Sequence, residues 1–261
     1  MNATTYVNLR KIIRGSRNLK PGERVALQGK TQVFKVRGPK NQWFALKVAR
    51  TSSQDHLLRE AMVLDLLLPH PNITALHGCG RIDGNIYLEM EYVDSADAKR
   101  KIKITGPFPE AEVLRINQGI SSALSHAHQH GLAHGDVKTE NILPGATVKL
   151  ADFERARPIA GQEKINRRVV GTLQYMTLSH MRGYPIRPQD DHFGLGLSLY
   201  EMLTGEVALA NVKMPWPSVH SETWKDYWMG AYNKLREKAT KLQCSERLRT
   251  ILLEKIKINH A

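Results

Sequence analysis

The chain has 261 residues, of which 41% are hydrophobic and 24% charged. That balance excludes a disordered or fibrous protein and leaves enough chain for one large domain or two packed lobes. The formal charge of +13 suits an acidic protein, a nucleic acid or an anionic surface. The basic residues run from Arg10 to Lys257 without gathering beside stacking aromatics, so no specific nucleic-acid ligand is expected.

Residues 1–20 read as a basic N-terminal extension with no standard secretion signal. Residues 21–93 read as a small sheet carrying one helix. "RVALQGK", "QVFKVR" and "QWFALKV" have strand character, and Gly38, Pro39 and Asn41 supply a turn between the last two. "SQDHLLREAMVLDLLL" is expected to be helical, capped by Ser52 or Ser53 and stopped by Pro69 and Pro71. "ITALHGCGRIDGNIYLEMEYV" predicts two strands around Asp83-Gly84. The polar stretch 94–102 reads as a hinge and connection.

Residues 103–261 are expected to be mainly helical. A helix over 110–129 carries Val113, Ile116, Ile120, Leu124 and Ala127 on one face and exits at Gly131. "NIL" and "TVKLA" predict a short hairpin about Pro144-Gly145. A loop over 153–190 precedes the apolar helix "DHFGLGLSLYEMLTG". Trp224, Trp228 and Tyr232 have the spacing of a helix stripe that packs into a core. No run is long enough to span a membrane. Cys79 and Cys244 are too few for a disulfide framework or a zinc site.

In "FALKVA", alternation places Phe44, Leu46 and Val48 on one side of a strand and Ala45, Lys47 and Ala49 on the other. Lys47 is either a solvated strand lysine or a cleft lysine that Glu60, on the next helix, restrains against phosphate. "HGLAHGDVKTENILPGATVKLADFE" brings together Asp136, Lys138, Asn141 and Asp152. Each alone fits a turn or cap. Together they fit a carboxylate that receives a hydroxyl proton, an ammonium that offsets phosphoryl charge, and two oxygen donors for magnesium. His126, His128 and His130 do not share one helix face and read as structural, while His134 is expected to brace the adjoining loop.

In their order, "FALKV", the helix glutamate before "HPNI", "HGDVKTEN", "ADFE", "GTLQYM" and "DHFGLGLSLYEMLTG" resemble the successive signatures of eukaryotic-type protein serine/threonine kinases, over residues 22–252. The resemblance implies an α+β, bilobal fold, with a β-rich N-lobe over 21–93, a larger α-helical C-lobe over 103–261, and ATP in the cleft between them. It implies that Lys47 meets the α/β phosphates and Glu60 holds it. Asp136 is the catalytic aspartate, Lys138 the γ-phosphate lysine, and Asn141 and Asp152 the magnesium ligands. Val33, Ala45 and Met90 would line the adenine site, Glu91 and Val93 would grip adenine through the backbone, and Asp97 would contact ribose. Thr172 would brace Asp136 and Lys138, and Asp191 would hold the catalytic-loop backbone.

The pattern departs from the family at several places. Ala26, Gln28 and Thr31 stand where the nucleotide loop usually has glycine, with Gly29 displaced by one position. Gly135 replaces the arginine that often precedes the catalytic aspartate, and the chain between Phe153 and Gly171 holds no Ser, Thr or Tyr. Activity without loop phosphorylation is therefore expected. Glu154 replaces the glycine of "DFG", with its side chain expected outward and Phe153 in the core. Ser179 replaces a glutamate whose usual partner corresponds to Arg247, so that ion pair cannot form.

The expected function is transfer of the γ-phosphoryl group of ATP, with magnesium, to serine or threonine hydroxyls of a protein. The alternatives are a kinase-like scaffold and, further off, a small-molecule phosphotransferase. Expected partners are a protein substrate of acidic character and an activating or scaffold protein. The expected place of action is the cytoplasm, or a host cell reached without a signal peptide.

Overall fold

A computed structural model describes residues 24–28, 31–49, 54–82, 85–159, 171–212 and 221–258. The extension over 1–20, Gly29, the caps Ser52 and Ser53, and the Asp83-Gly84 turn lie outside them. The architecture is α+β, in two compact units: Met1–Asp94 with Asp152–Glu154, and Ser95–Ala151 with Arg155–Ala261.

In the first unit, β1 (Arg24–Gln28), β2 (Thr31–Arg37), β3 (Trp43–Ala49), β4 (Leu76–Ile82) and β5 (Asn85–Glu91) form an antiparallel sheet in the order β1-β2-β3-β5-β4. The β2–β3 turn closes through Gly38 N–H to the Gln42 carbonyl at 2.8 Å. Lys40 and Asn41 take φ of 54° and 68° there, a conformation asparagine tolerates better than most residues.

Alternation gives this sheet two faces. Phe34, Val36, Phe44, Leu46 and Val48 form an apolar cluster on one. On the other, cross-strand pairing aligns Val33 with Lys47, Lys47 with Leu88, and Ala45 with Met90, so these five share a face. Helix α1 (Gln54–Leu67) lies between β3 and β4 in sequence and buries Leu57, Glu60, Ala61, Val63, Leu64 and Leu67. The spacing is that of a helical stripe with one carboxylate inside it.

The second unit contains α2 (Ala98–Thr105), α3 (Glu110–Gln129), α4 (Leu178–Met181), α5 (Pro188–Thr204), α6 (Glu222–Thr240) and α7 (Glu246–Lys255). Two short strand pairs accompany them: β6 (Leu132–Ala133) with β9 (Arg157–Pro158), and β7 (Ile142–Pro144) with β8 (Val148–Leu150). The five apolar positions of α3 are fully buried, as the 3.6-residue period requires. Helix α5 is buried on most faces, begins at a proline, and ends on Gly205 in the left-handed conformation. Its Gly194 lies so close to the Val137 carbonyl that a Cβ would come within 2.7 Å, so only glycine lets α5 touch that backbone. Trp224, Trp228 and Tyr232 are buried, with the last two rings stacked at 5.4 Å.

Two expectations about local structure are corrected. The polar stretch 94–102 is not all connection, because α2 begins at Ala98. Asp97 starts that helix by accepting the Arg100 N–H at 2.8 Å, and such a cap outweighs the weak apolar pattern of the segment. The stretch 153–190 is not a uniform loop either: it contains a 3-10 turn at Phe153–Arg155, β9, a second 3-10 turn at Leu173–Tyr175, and α4. The four-residue α4 is capped by the Thr177 hydroxyl, which accepts the His180 N–H.

Candidate active site

In the first unit, β3 carries Lys47 inward, where its Nζ lies 2.6 Å from Glu60 Oε2 and 2.6 Å from Asp152 Oδ1. Both lysine and glutamate are almost wholly buried. Burial works against the ammonium, but Asp152 and then Glu60 outweigh it, holding the Lys47 pKa above the ordinary lysine value. Two carboxylates share this one cation, and Glu60 yields. Burial pushes its carboxyl up to about 7 against the pull of Lys47, with Asp152 and Glu154 adding repulsion. The second oxygen of Glu60 is buried and meets no described partner.

A pH dependence follows. The folded Glu60 pKa lies above its unfolded value of about 4.3, so the folded state binds the proton more tightly between the two. Stability from this group is complete below about 4.3 and is lost as pH rises towards about 7. Relative to Glu60→Gln, the magnesium-free wild type is expected to lose on the order of 1–3 kcal/mol across that window. Denaturant unfolding at stepped pH reads it; a constant difference between the two proteins would refute it.

Asp152 takes φ of 66°, strained for a non-glycine residue and worth attention at a functional site. Phe153 is fully buried, as expected. Glu154 does not need glycine's freedom, since its φ is not positive; the residue is half-buried, and its charge adds the smallest of the repulsions on Glu60.

In the second unit, the Asp136 carboxylate is held at both oxygens. Oδ2 accepts from Lys138 Nζ at 2.8 Å and lies 3.5 Å from Arg155 Nε. Oδ1 accepts from the Thr172 N–H and hydroxyl, each at 3.1 Å. Lys138 Nζ also donates to the Thr172 hydroxyl at 2.9 Å. The expected brace by Thr172 is thus present in geometry.

Beneath this group, Asp191 accepts the Gly135 N–H through Oδ1 and the His134 N–H through Oδ2, both at 2.8 Å, and His128 Nε2 lies 2.8 Å from Oδ2. Burial would raise the Asp191 pKa, yet the His128 hydrogen bond, His134 and the Gly135 N–H hold it below the usual value. His134 Nδ1 accepts from the Asp136 N–H, so its proton sits on Nε2, which donates to the Ala151 carbonyl at 3.1 Å. His126 and His130 face each other through their rings at 4.4 Å. The structural reading of these histidines therefore stands.

Gly135 has φ of 77°, and a Cβ there would lie 3.0 Å from Ile186 Cδ1 and 3.1 Å from the Arg155 carbonyl oxygen. The left-handed backbone and these close contacts disfavour any side chain at this position. Gly135→Ala is expected to cost ~1–2 kcal/mol from the left-handed backbone alone, and Gly135→Arg at least as much. Chemical denaturation measures both; an arginine variant as stable as the wild type would show that the turn is not constrained.

Asn141 is fully buried and donates Nδ2 to the Asp136 carbonyl at 2.9 Å, while its Oδ1 is buried with no described partner. Asp97, expected at ribose, has Oδ1 engaged in the α2 cap. The side chain of Glu91 turns to the Ala75 N–H at 3.1 Å, and its own N–H bonds the Ala75 carbonyl. Ser179 meets Arg187 only at 3.5 Å, and Arg247 is exposed, in line with a missing ion pair.

Residues 28–254 match the protein kinase domain family. The chain belongs to that family. It is 37% identical over 147 residues to serine/threonine-protein kinase PknB of Mycobacterium leprae, which covers 53% of this chain and 24% of that protein. It is 34% identical over 143 residues to serine/threonine-protein kinase PrkC of Bacillus subtilis, covering 54% and 22%. With the probable serine/threonine-protein kinase PknB of Lactococcus lactis it shares 31% over 172 residues, covering 62% and 27%. The chain thus spans about a quarter of the length of these relatives.

Two features of this kinase domain escaped the sequence reading. Arg155 reaches Asp136, and the arginine missing at 135 was the cue to look for another cation. The second is a buried carboxylate, Glu201 in α5. It binds Lys99 and the Tyr175 hydroxyl, and the Thr139 hydroxyl at 3.0 Å. Burial first, and then Glu201, raise the Tyr175 pKa. A charged residue inside an otherwise apolar helix needs such partners, and that was the signal to follow. No described helix is long and apolar enough to cross a membrane.

Proposed function

We propose that this kinase domain transfers the γ-phosphoryl group of ATP to serine or threonine hydroxyls of a protein substrate. The observation that carries the reading is the Asp136 carboxylate, anchored at one oxygen by Thr172 and at the other by Lys138. In this reading Asp136 orients the acceptor hydroxyl and takes its proton, and Lys138 offsets charge on the moving phosphoryl group. Lys47, steadied by Glu60, places the α/β phosphates. Val33, Ala45 and Met90, on the same sheet face as Lys47, would contact adenine. Glu91 and Val93 would grip it through their backbone, and Asp97 would approach ribose with its remaining oxygen.

The oxygen donors proposed for magnesium are Asp152 and Asn141. The orphaned Asn141 Oδ1 fits a hard cation that takes one or two protein oxygens and otherwise phosphate and water. Bound magnesium would neutralise phosphate charge. The chain's residues do the rest: Asp191 fixes the loop backbone and Thr172 fixes the carboxylate.

The charge of +13 supports an acidic protein substrate. Leu58, Met62 and Leu66, four residues apart on α1 and exposed, support an activating or scaffold protein on that helix. Two free cysteines, Cys79 and Cys244, support a reducing compartment, the cytoplasm of its own cell or of a host. The test is incubation with γ-labelled ATP, magnesium and a protein mixture, followed by phospho-amino-acid analysis. Label on serine or threonine, lost in Asp136→Ala, is the expected result; label only on small molecules or none at all would reject the reading.

A further inference from the structure

The catalytic carboxylate has an unexpected neighbour. Arg155 Nε lies 3.5 Å from Asp136 Oδ2, the longest of the four donor contacts to that group. About a third of the Arg155 side chain is exposed, with 32% accessible, and no described residue meets its terminal Nη1 and Nη2 atoms. The Arg155 carbonyl packs against Gly135, which fixes the segment delivering this side chain. A guanidinium engaged through one edge, with no described partner at its fork, is a receptor for a planar anion.

The source of that anion is narrowed by the sequence. Between Phe153 and Gly171 there is no Ser, Thr or Tyr, so phosphorylation within this loop cannot supply it. An acceptor hydroxyl that approaches Asp136 Oδ2 competes with Arg155 for that oxygen, and the 3.5 Å contact is the weakest to displace. The released fork then faces whatever flanks the acceptor. At ~3.5 Å per extended residue, that is a side chain one or two positions away.

We propose that Arg155 is a specificity-determining residue which selects serine or threonine acceptors flanked by an aspartate or glutamate carboxylate. The inference rests on the kinase reading above and names the substrate class for it. It also explains how a chain lacking arginine at position 135 still keeps a guanidinium beside its catalytic aspartate: the loop supplies it, and the anion comes from the substrate.

The experiment uses peptides with one acceptor and Asp, Glu, Asn or Lys at the two positions on either side. Each is tested with the wild type, Arg155→Ala, Arg155→Lys and Arg155→Glu. For the wild type, kcat/KM on acidic peptides should exceed that on Asn peptides by about tenfold, the scale of one hydrogen-bonded charge pair. The ratio should fall towards one in Arg155→Ala, recover in part in Arg155→Lys, and shift to favour Lys peptides in Arg155→Glu. A role in holding the loop alone would change rates but not that ratio. Peptide binding by fluorescence anisotropy on the same proteins reads the preference without turnover. Equal wild-type use of acidic and neutral peptides, or an acidic preference that survives in Arg155→Ala, overturns the proposal. Loss of all phosphorylation in the wild type with the binding preference intact would instead reject the kinase reading.

Discussion

Replacing Asp136 with asparagine is expected to lower phosphoryl transfer by ~10²–10⁴-fold while ATP still binds. The side chains are nearly the same size, so packing is preserved. What changes is the pattern of donors and acceptors. Asp136 now accepts at both oxygens, from Thr172 on one side and from Lys138, with Arg155 nearby, on the other. An amide accepts only at one end. Whichever way it turns, its NH₂ group points at a donor, and one side of the clamp is lost. The proton-accepting role proposed for Asp136 would be lost with it. Single-turnover rates with labelled ATP and a separate nucleotide titration distinguish the two effects. A variant that transfers phosphate at the wild-type rate would remove Asp136 from the mechanism.

Lys47→Met should produce the largest loss of stability together with a loss of activity. Glu60 is fully buried, and the side chain of Asp152 is 16% exposed. Without the ammonium, two carboxylates face each other in a poorly solvated place. Removing one partner of a buried pair costs about 3–5 kcal/mol, because the residue left behind keeps its desolvation penalty. At ~2–4 °C per kcal/mol for a chain near this size, the melting temperature should fall by roughly 6–20 °C. Methionine fills much of the lysine volume, so a cavity contributes little. Adding Glu60→Gln should recover a large part of the loss, since the double variant removes the stranded carboxyl as well as the amine. Losing the ammonium proposed to hold the α/β phosphates should cost a further ~10²–10³ in kcat. Calorimetry of the two single variants and the double variant gives the coupling directly. An unchanged melting temperature in Lys47→Met would mean that the triad is not held as described.

These two sites differ in how visible they are before folding. Alternation alone aims Lys47 to the side of β3 opposite Phe44, Leu46 and Val48, because successive strand residues must face opposite ways. The stripe on α3 follows from the helical period in the same manner. The order of short motifs from "FALKV" to "DHFGLGLSLYEMLTG" carries the kinase family, and the match over residues 28–254 agrees with it. The polar stretch before α2 was harder to read, because one Asp97 cap decides that helix and its sequence has little apolar pattern.

By itself, then, the sequence determined which side chains of the long elements lie on which face, where most of the longer strands and helices run, and which residues are candidates for phosphate chemistry. Only tertiary structure decided which distant groups meet. Arg155 comes to Asp136 from nineteen positions away, Glu201 gathers Lys99 and Tyr175, and Asp191 reaches back to the backbone of His134 and Gly135. The physical reason is range. Face and period arise from a residue's own backbone geometry and its near neighbours, whereas a buried charge finds its partner through packing of segments far apart in the chain.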